Sequence, residues 1–252
     1  MNASLTDARP EHAPPEITLV VPVYNEEDNV AALAGEIAVV MAAVPRSWEL
    51  LFVDDGSSDA SLAAIRSLAA ASSHIRYIAL AVNSGQSAAF AAGFREAQGE
   101  ILVTLDADLQ NDPADIPAML DCYGKNGVNM VVGWRARRRD SLAKRLASKV
   151  GNAVRNWIAR ESIKDTGCSL KVMRKDMACA IPVFNGMHRF FPALMRLEGA
   201  VLAEVRVNHR PRRAGVSKYG IWDRARKTAF DLFAVRWLQS RHIAYTIKER
   251  NV

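Results

Sequence analysis

Several features that would place a protein quickly are missing from this sequence. Its 252 residues contain three cysteines, Cys122, Cys168 and Cys179. The number is odd, the spacings are wide and no Cys-Xaa-Xaa-Cys pair occurs, so neither a disulfide framework nor a zinc site is indicated and a reducing compartment fits best. No charge-free run of about 18 apolar residues is present, which argues against a membrane-spanning helix. No Gly-Xaa-Gly-Xaa-Xaa-Gly follows the first apolar run, which disfavours a dinucleotide-dependent dehydrogenase. RNA- and DNA-binding signatures are absent, as are internal repeats. The opening "MNASLTDARPEHAPPE" carries acids and prolines but no apolar core, so residues 1–16 read as a disordered tail rather than a signal peptide.

What is present is ordinary globular material: half the residues are hydrophobic and 24% are charged. The length suits one large α/β domain with a C-terminal appendage. Lysine and arginine outnumber aspartate and glutamate by 33 to 27, a net charge of +6, which points to an anionic partner. The basic residues concentrate after residue 133, so the distribution and not the total must identify that partner.

Short apolar runs recur at 17–23 ("ITLVVPV"), 49–55 ("ELLFVDD"), 75–82 ("IRYIALAV"), 101–108 ("ILVTLDAD") and 129–134 ("NMVVGW"). They are continuous rather than alternating, the pattern of strands buried on both faces of a parallel sheet. Helix-forming segments separate them at about Asp28–Ala43, Asp59–Ala71, Gln86–Ala97 and Pro113–Lys125. Asp28, Ser58 or Asp59, and Asp112 before Pro113 supply N-terminal capping chemistry. The alternation predicts a doubly wound, mostly parallel sheet with helices on both faces and ligands beyond the carboxyl ends of the strands.

Each of those ends is polar: "VPVYNEEDN" after the first strand, "VDDGSSD" after the second, "LDADLQNDP" after the fourth. A lone Asp-Xaa-Asp is weak, but in this position and company it is specific. Two carboxylates two residues apart lie on one face of an extended segment, where they can hold a divalent cation against a diphosphate. Asp106 and Asp108 are therefore the candidate metal ligands, whereas Asp112 before Pro113 reads as a helix cap.

Over roughly residues 17–240 this set resembles the family 2 glycosyltransferases, and within them the polyprenyl-phosphate sugar synthases such as dolichol-phosphate mannose synthase. The resemblance implies a GT-A-type fold and an inverting, metal-dependent transferase using Mg or Mn. It adds Gln110 to the metal side and implies a nucleotide-sugar site of Pro22, Tyr24, Glu26, Val53, Asp55, Asp106, Ala107 and Asp108. Arg212 and Lys218, in a basic loop at 210–220, would complete that site. Arg135 resembles the family arginine that contacts phosphate, and Lys144 and Ser148, one helical turn apart, join it as acceptor-phosphate ligands. Asp108, Arg135 and Asp165 are the catalytic candidates; Asp165 would position the acceptor, because a phosphate monoester is already ionised and requires no strong base. Gly85 and Gly93 serve turn geometry and close helix packing. His188 and Arg189 fall in another family-like stretch, with core-edge packing as the alternative.

The implied reaction moves a sugar from a UDP- or GDP-sugar to a polyprenyl phosphate, giving a lipid-linked donor for envelope glycan or lipid modification. Residues 17–220 would form the transferase domain and 221–252 an amphipathic helix and tail. In that helix Trp222, Ala225, Ala229, Phe233 and Trp237 follow helical spacing with basic flanks, which suits the interface of a membrane, although packing on the domain is the alternative. Peripheral attachment at the cytoplasmic face follows, with or without a membrane-embedded partner protein and without nucleic acid. A processive synthase is disfavoured, since "FAVRW" lacks the expected glutamine. Transfer to a hydroxyl acceptor, or a non-catalytic nucleotide-binding module, remain the other readings.

Overall fold

Strands buried on both faces need a helical layer on each side, and the apolar residues of this chain divide accordingly. The computed structural model describes residues 13–136, 163–211, 221–243 and 249. In chain order its elements are β1 (Ile17–Val23), α1 (Glu27–Met41), β2 (Trp48–Asp54), α2 (Ser61–Ala71), β3 (Ile75–Ala79), α3 (Gln86–Glu96) and β4 (Ile101–Thr104). A 3-10 turn at Pro113–Asp115 then leads into α4 (Ile116–Cys122), followed by β5 (Met130–Trp134), β6 (Lys171–Arg174), α5 (Lys175–Ala180), α6 (Phe191–Leu197), β7 (Leu202–Arg206) and α7 (Ile221–Arg241).

The strands form one seven-stranded sheet in the order β3-β2-β1-β4-β6-β5-β7. Only β6 runs against the others: it is antiparallel to both β4 and β5, while β5 and β7 are parallel. The expected doubly wound, mostly parallel architecture is present, with a reversed strand inserted where the sequence suggested none.

Alternate residues of each central strand enter opposite layers. Leu19, Val21, Phe52 and Val103 pack with Val30, Leu33 and Ile37 of α1, Ile65 of α2 and Met119 of α4. Val20, Leu51, Val53 and Leu102 pack with Phe90 and Phe94 of α3, Phe191 and Leu194 of α6, and Leu232 and Val235 of α7. Gly93 makes the second layer possible, since a Cβ there would stand 2.5 Å from Val20 Cγ1 and 3.0 Å from Val53 Cγ2. Gly85 precedes α3 at φ +89°, a left-handed turn geometry open to glycine.

Several expected boundaries shift. β4 stops at Thr104, so Asp106 and Asp108 leave the sheet, and β3 stops at Ala79. Asp28 lies within the first turn of α1, whose N-cap position is Glu26. Asp59 caps α2 from one residue further out, its Oδ1 accepting from Ser61 N at 2.9 Å. Asp112 caps as expected, accepting from Ala114 N at 3.0 Å. At the other end of the chain, Glu16 is already tied to the sheet margin, its N–H donating to Ser47 O at 3.1 Å.

Helix α7 answers to both readings of the C-terminal segment. Leu232 and Val235 are buried against the second layer, and Phe230, Phe233 and Trp237 on the opposite side are 73%, 68% and 62% exposed. The buried face agrees with the alternative of packing on the domain. Trp222, Ala225 and Ala229 have side chains outside the described residues.

Candidate active site

The carboxyl ends of β1, β2, β4 and β5 open on the same edge of the sheet, and β6, being reversed, begins there with Lys171. Side chains far apart in sequence meet at that edge. After β4 the chain forms a tight turn in which Leu109 takes a left-handed conformation at φ +60°. Asp108 Oδ1 accepts from Gln110 N at 3.1 Å across it. The predicted extended face ends in a turn, and the left-handed backbone at Leu109 breaks the two-residue alternation between Asp108 and Gln110.

Asp106 faces a cavity of about 280 Å³ whose wall includes Gln86, Ser169, Lys171, His188 and Phe191. Gln86 Nε2 donates to Asp106 Oδ1 at 2.7 Å. Burial, and then the charge of Asp108, push the Asp106 carboxyl above its ordinary range. Two neighbouring carboxylates are chemically suited to a hard divalent cation such as Mg or Mn, whose charge offsets the burial and repulsion felt by Asp106. Among the described residues no third His, Cys, Asp or Glu joins them. Asp106 and Asp108 fit such an ion, with Gln110 following on the same turn.

Across from the acids, Arg135 leaves β5 and is held by Asp165. Its Nε donates to Asp165 Oδ2 at 2.7 Å and its Nη2 to Oδ1 at 2.9 Å, with side chains only 10% and 7% exposed. Burial works against the Arg135 charge, but the bond and charge of Asp165 outweigh it and raise its pKa. Lys171 is also buried, donates to the Cys168 carbonyl, and is pushed below the usual lysine value by desolvation. Asp106, Arg135, Asp165 and Lys171 feel one another electrostatically, so they constitute one buried charge cluster.

The predicted nucleotide residues separate into two groups. Pro22 is the half-buried penultimate residue of β1, and Tyr24 and Glu26 lie in the loop after it, with Tyr24 exposed and Glu26 Oε2 accepting from Asn29 Nδ2 at 2.7 Å. Asp55 uses both oxygens to hold the loop before α3, accepting from Ser84 N at 2.7 Å and Gly85 N at 2.9 Å. Burial raises its carboxyl despite those bonds. Val53 and Ala107, by contrast, have buried side chains in the two core layers. Asp54 Oδ2 accepts from Ser57 N at 3.2 Å, which makes it a loop-orienting residue.

Sequence reasoning missed Gln86, Ser87, Ser169 and Lys171 as site residues. Lys171 gave a signal, a lysine inside the apolar "CSLKVM", since a lysine is almost never fully buried without a partner. Ser87 was silent: its Oγ accepts from Gly186 N at 2.9 Å and lies 2.9 Å from His188 Nδ1, fixing that ring at the cavity wall. Lys144, Ser148, Arg212 and Lys218 lie outside the described residues. The chain leading to the 212–220 loop is nonetheless fastened to the acid turn. Arg210 N donates to Gln110 O at 2.9 Å, and its guanidinium bridges Glu36 at 2.5 Å and Asp112 at 2.6 Å.

The family model described as Glycosyl transferase family 2 matches residues 18–189, which take in strands β1 to β6, the acid turn and the His188 wall. The chain belongs to glycosyl transferase family 2. Among curated members, a dodecaprenyl-phosphate galacturonate synthase of Rhizobium johnstonii is 38% identical over 224 residues, 87% of this chain and 66% of the relative. An undecaprenyl-phosphate 4-deoxy-4-formamido-L-arabinose transferase of Pectobacterium carotovorum is 36% identical over 204 residues, 81% of this chain and 62% of the relative. The chain thus spans less than two thirds of the length of either.

The family 2 fold is also that of solved structures. Glucosyl-3-phosphoglycerate synthase of Mycobacterium tuberculosis, in complex with Mn2+, UDP and phosphoglyceric acid, superposes with a TM-score of 0.66 at 18% identity, over 91% of this chain and 80% of the other. The same enzyme with Mn2+ and UDP-glucose gives 0.65, over 88% and 79%. At that identity the likeness establishes the fold, which is the GT-A-type architecture expected from the sequence.

Proposed function

We propose that this family 2 glycosyltransferase moves a sugar from a UDP- or GDP-sugar to a polyprenyl phosphate, with inversion at the anomeric carbon. Relatives at 38% and 36% identity are both named for polyprenyl-phosphate acceptors. The observation that carries the acceptor class is the state of Asp165. A hydroxyl acceptor needs a carboxylate free to take its proton, but Asp165 is committed through both oxygens to Arg135. An ionised phosphate oxygen attacks without such a base.

The chain's own residues then work by positioning and charge. Tyr24 and Glu26 sit where a base and ribose would lie, the Asp55-held loop shapes that edge, and Arg135 keeps a positive charge beside the reacting centre. A divalent ion on Asp106 and Asp108, with Gln110 beside them, would supply positive charge to the departing diphosphate. Arg212, Lys218, Lys144 and Ser148 complete the proposal as phosphate ligands.

A panel of nucleotide sugars with a short polyprenyl phosphate and Mg or Mn tests the reading. Release of nucleoside diphosphate is expected to require the lipid phosphate. Release that follows added soluble sugars, with no response to the lipid phosphate, would favour a hydroxyl acceptor instead.

Attachment to a membrane surface is part of the same proposal, supported by the exposed Phe230, Phe233 and Trp237 on the face of α7 turned away from the domain. No helix among the described residues is long and apolar enough to cross a membrane. Phe233→Ser with Trp237→Ser is expected to abolish co-sedimentation with anionic liposomes while turnover of a short, soluble polyprenyl phosphate persists. Equal liposome binding by the double variant would overturn the peripheral attachment.

A further inference from the structure

We propose that the donor sugar bears a carboxylate, and that Lys171 is the residue that receives it in the cavity beside Asp106. The inference deepens, and rests on, the transferase reading above. It comes from what the cavity wall has left to offer.

Thr104, Ser169 and Gln86 on that wall each already spend a donor within the protein. Thr104 Oγ1 donates to Ser169 O at 2.7 Å, Ser169 Oγ donates to Asn111 Oδ1 at 2.5 Å, and Gln86 Nε2 donates to Asp106. Lys171 differs. It is 3% exposed, stands opposite Thr104 in the β4–β6 register, and lines the cavity. An ammonium carries three N–H donors, and the Cys168 carbonyl takes one. The Phe191 ring, its centroid 5.9 Å away, is a weak substitute for the remainder. A buried ammonium is costly unless its charge is met; Asp106 and Asp165 meet part of it through space, and a ligand carboxylate would meet the rest.

The charge of the wall points to the kind of ligand. Arg189 is a second cation there, facing Asp231 at 3.7 Å, and His188 adds a ring nitrogen. The one acid on the wall, Asp106, is assigned to the metal. A neutral sugar presents hydroxyls that each donate and accept, and is best met by a wall of mixed donors and acceptors. The wall sets two cations, Lys171 and Arg189, against that one acid, and a carboxylate gives them charge-assisted bonds that a neutral sugar cannot. The cavity, about 280 Å³, has room for a single sugar ring.

The test uses the full chain with Mn2+, undecaprenyl phosphate and donors in matched pairs that differ at the sugar carboxylate. The pairs are UDP-galacturonate with UDP-galactose, UDP-glucuronate with UDP-glucose, and GDP-mannuronate with GDP-mannose. The acid of at least one pair is expected to be preferred by about tenfold or more in kcat/KM. Lys171→Met is expected to erase the preference through the KM of the acid donor, and Lys171→Arg to keep much of it. Because the wild-type preference is itself a readout, a variant that fails to fold leaves the test intact.

Preference for the neutral member throughout, or turnover confined to a neutral sugar outside these pairs, would overturn the carboxylate while leaving the transferase reading standing. So would equal losses on both members in Lys171→Met, which would assign the lysine to a phosphate common to all donors. If no nucleotide sugar is turned over with the lipid phosphate, the transferase reading itself fails.

Discussion

Asp106→Asn is expected to slow sugar transfer by about a thousandfold or more while leaving the melting temperature unchanged or higher. The substitution keeps the size of the side chain and a carbonyl to accept from Gln86 Nε2, now bonded at 2.7 Å. Only the charge is lost. Asp106 is desolvated and lies beside the like charge of Asp108, which is why its carboxyl is raised. Two neighbouring carboxylates, Asp108 buried and Asp106 partly so, are a poor arrangement for folding and a good one for a divalent cation, so neutralising one relieves the fold and disables the site. Nucleoside diphosphate release, Mn2+ binding followed by electron paramagnetic resonance and thermal denaturation check the three parts. Unaltered Mn2+ affinity would remove Asp106 from the metal site. A fall in melting temperature beyond about 5 °C would show a structural role instead. Asp112→Asn should slow transfer far less, because asparagine caps the helix as aspartate does and the Asp112 carboxylate meets Arg210 rather than the cavity.

The same turn shows what the sequence can and cannot disclose. Acids after a fourth buried strand were legible as candidate metal ligands because charge beyond a strand end is a local pattern. The break in their face before Gln110 was not foreseeable, since nothing in a leucine reveals that Leu109 will take φ +60°. Val53 and Ala107 illustrate a related limit. The family resemblance implied them for the pocket, and alternation along β2 and closure of the turn after β4 send their side chains into the core.

At the level of the fold, the first five strands were legible because each is a continuous apolar run with helix-forming sequence after it. β6 and β7 were not. They have four and five residues, carry Lys171, Glu204 and Arg206, and owe their strand character to neighbours. That β6 slots between β4 and β5 in reverse is a long-range decision about pairing. Missing β6 meant missing Lys171 as a wall of the site. Gln86 was passed over for a similar reason, since its partner Asp106 is 20 residues away.

Asp165→Leu is expected to destabilise the protein by about 3–5 kcal/mol, because it leaves the Arg135 guanidinium buried without its counter-charge. The two side chains meet in a bidentate bond at 2.7 and 2.9 Å and are nearly enclosed. Desolvation of each ion offsets most of their attraction, so removing both together should hurt the fold much less than removing one. The double variant Arg135→Met, Asp165→Leu is accordingly expected to regain most of the lost stability in urea denaturation, yet to remain slow, since the positive charge beside the reacting centre is gone. Recovery of both stability and turnover would make the pair purely structural. Asp165→Asn separates the acceptor classes. If Asp165 were a general base, the acidic limb of the pH–rate profile would disappear with it. With an acceptor phosphate already ionised, the rate should fall through a loosened Arg135 while the limb, set by the second ionisation of the phosphate near about pH 6, stays in place.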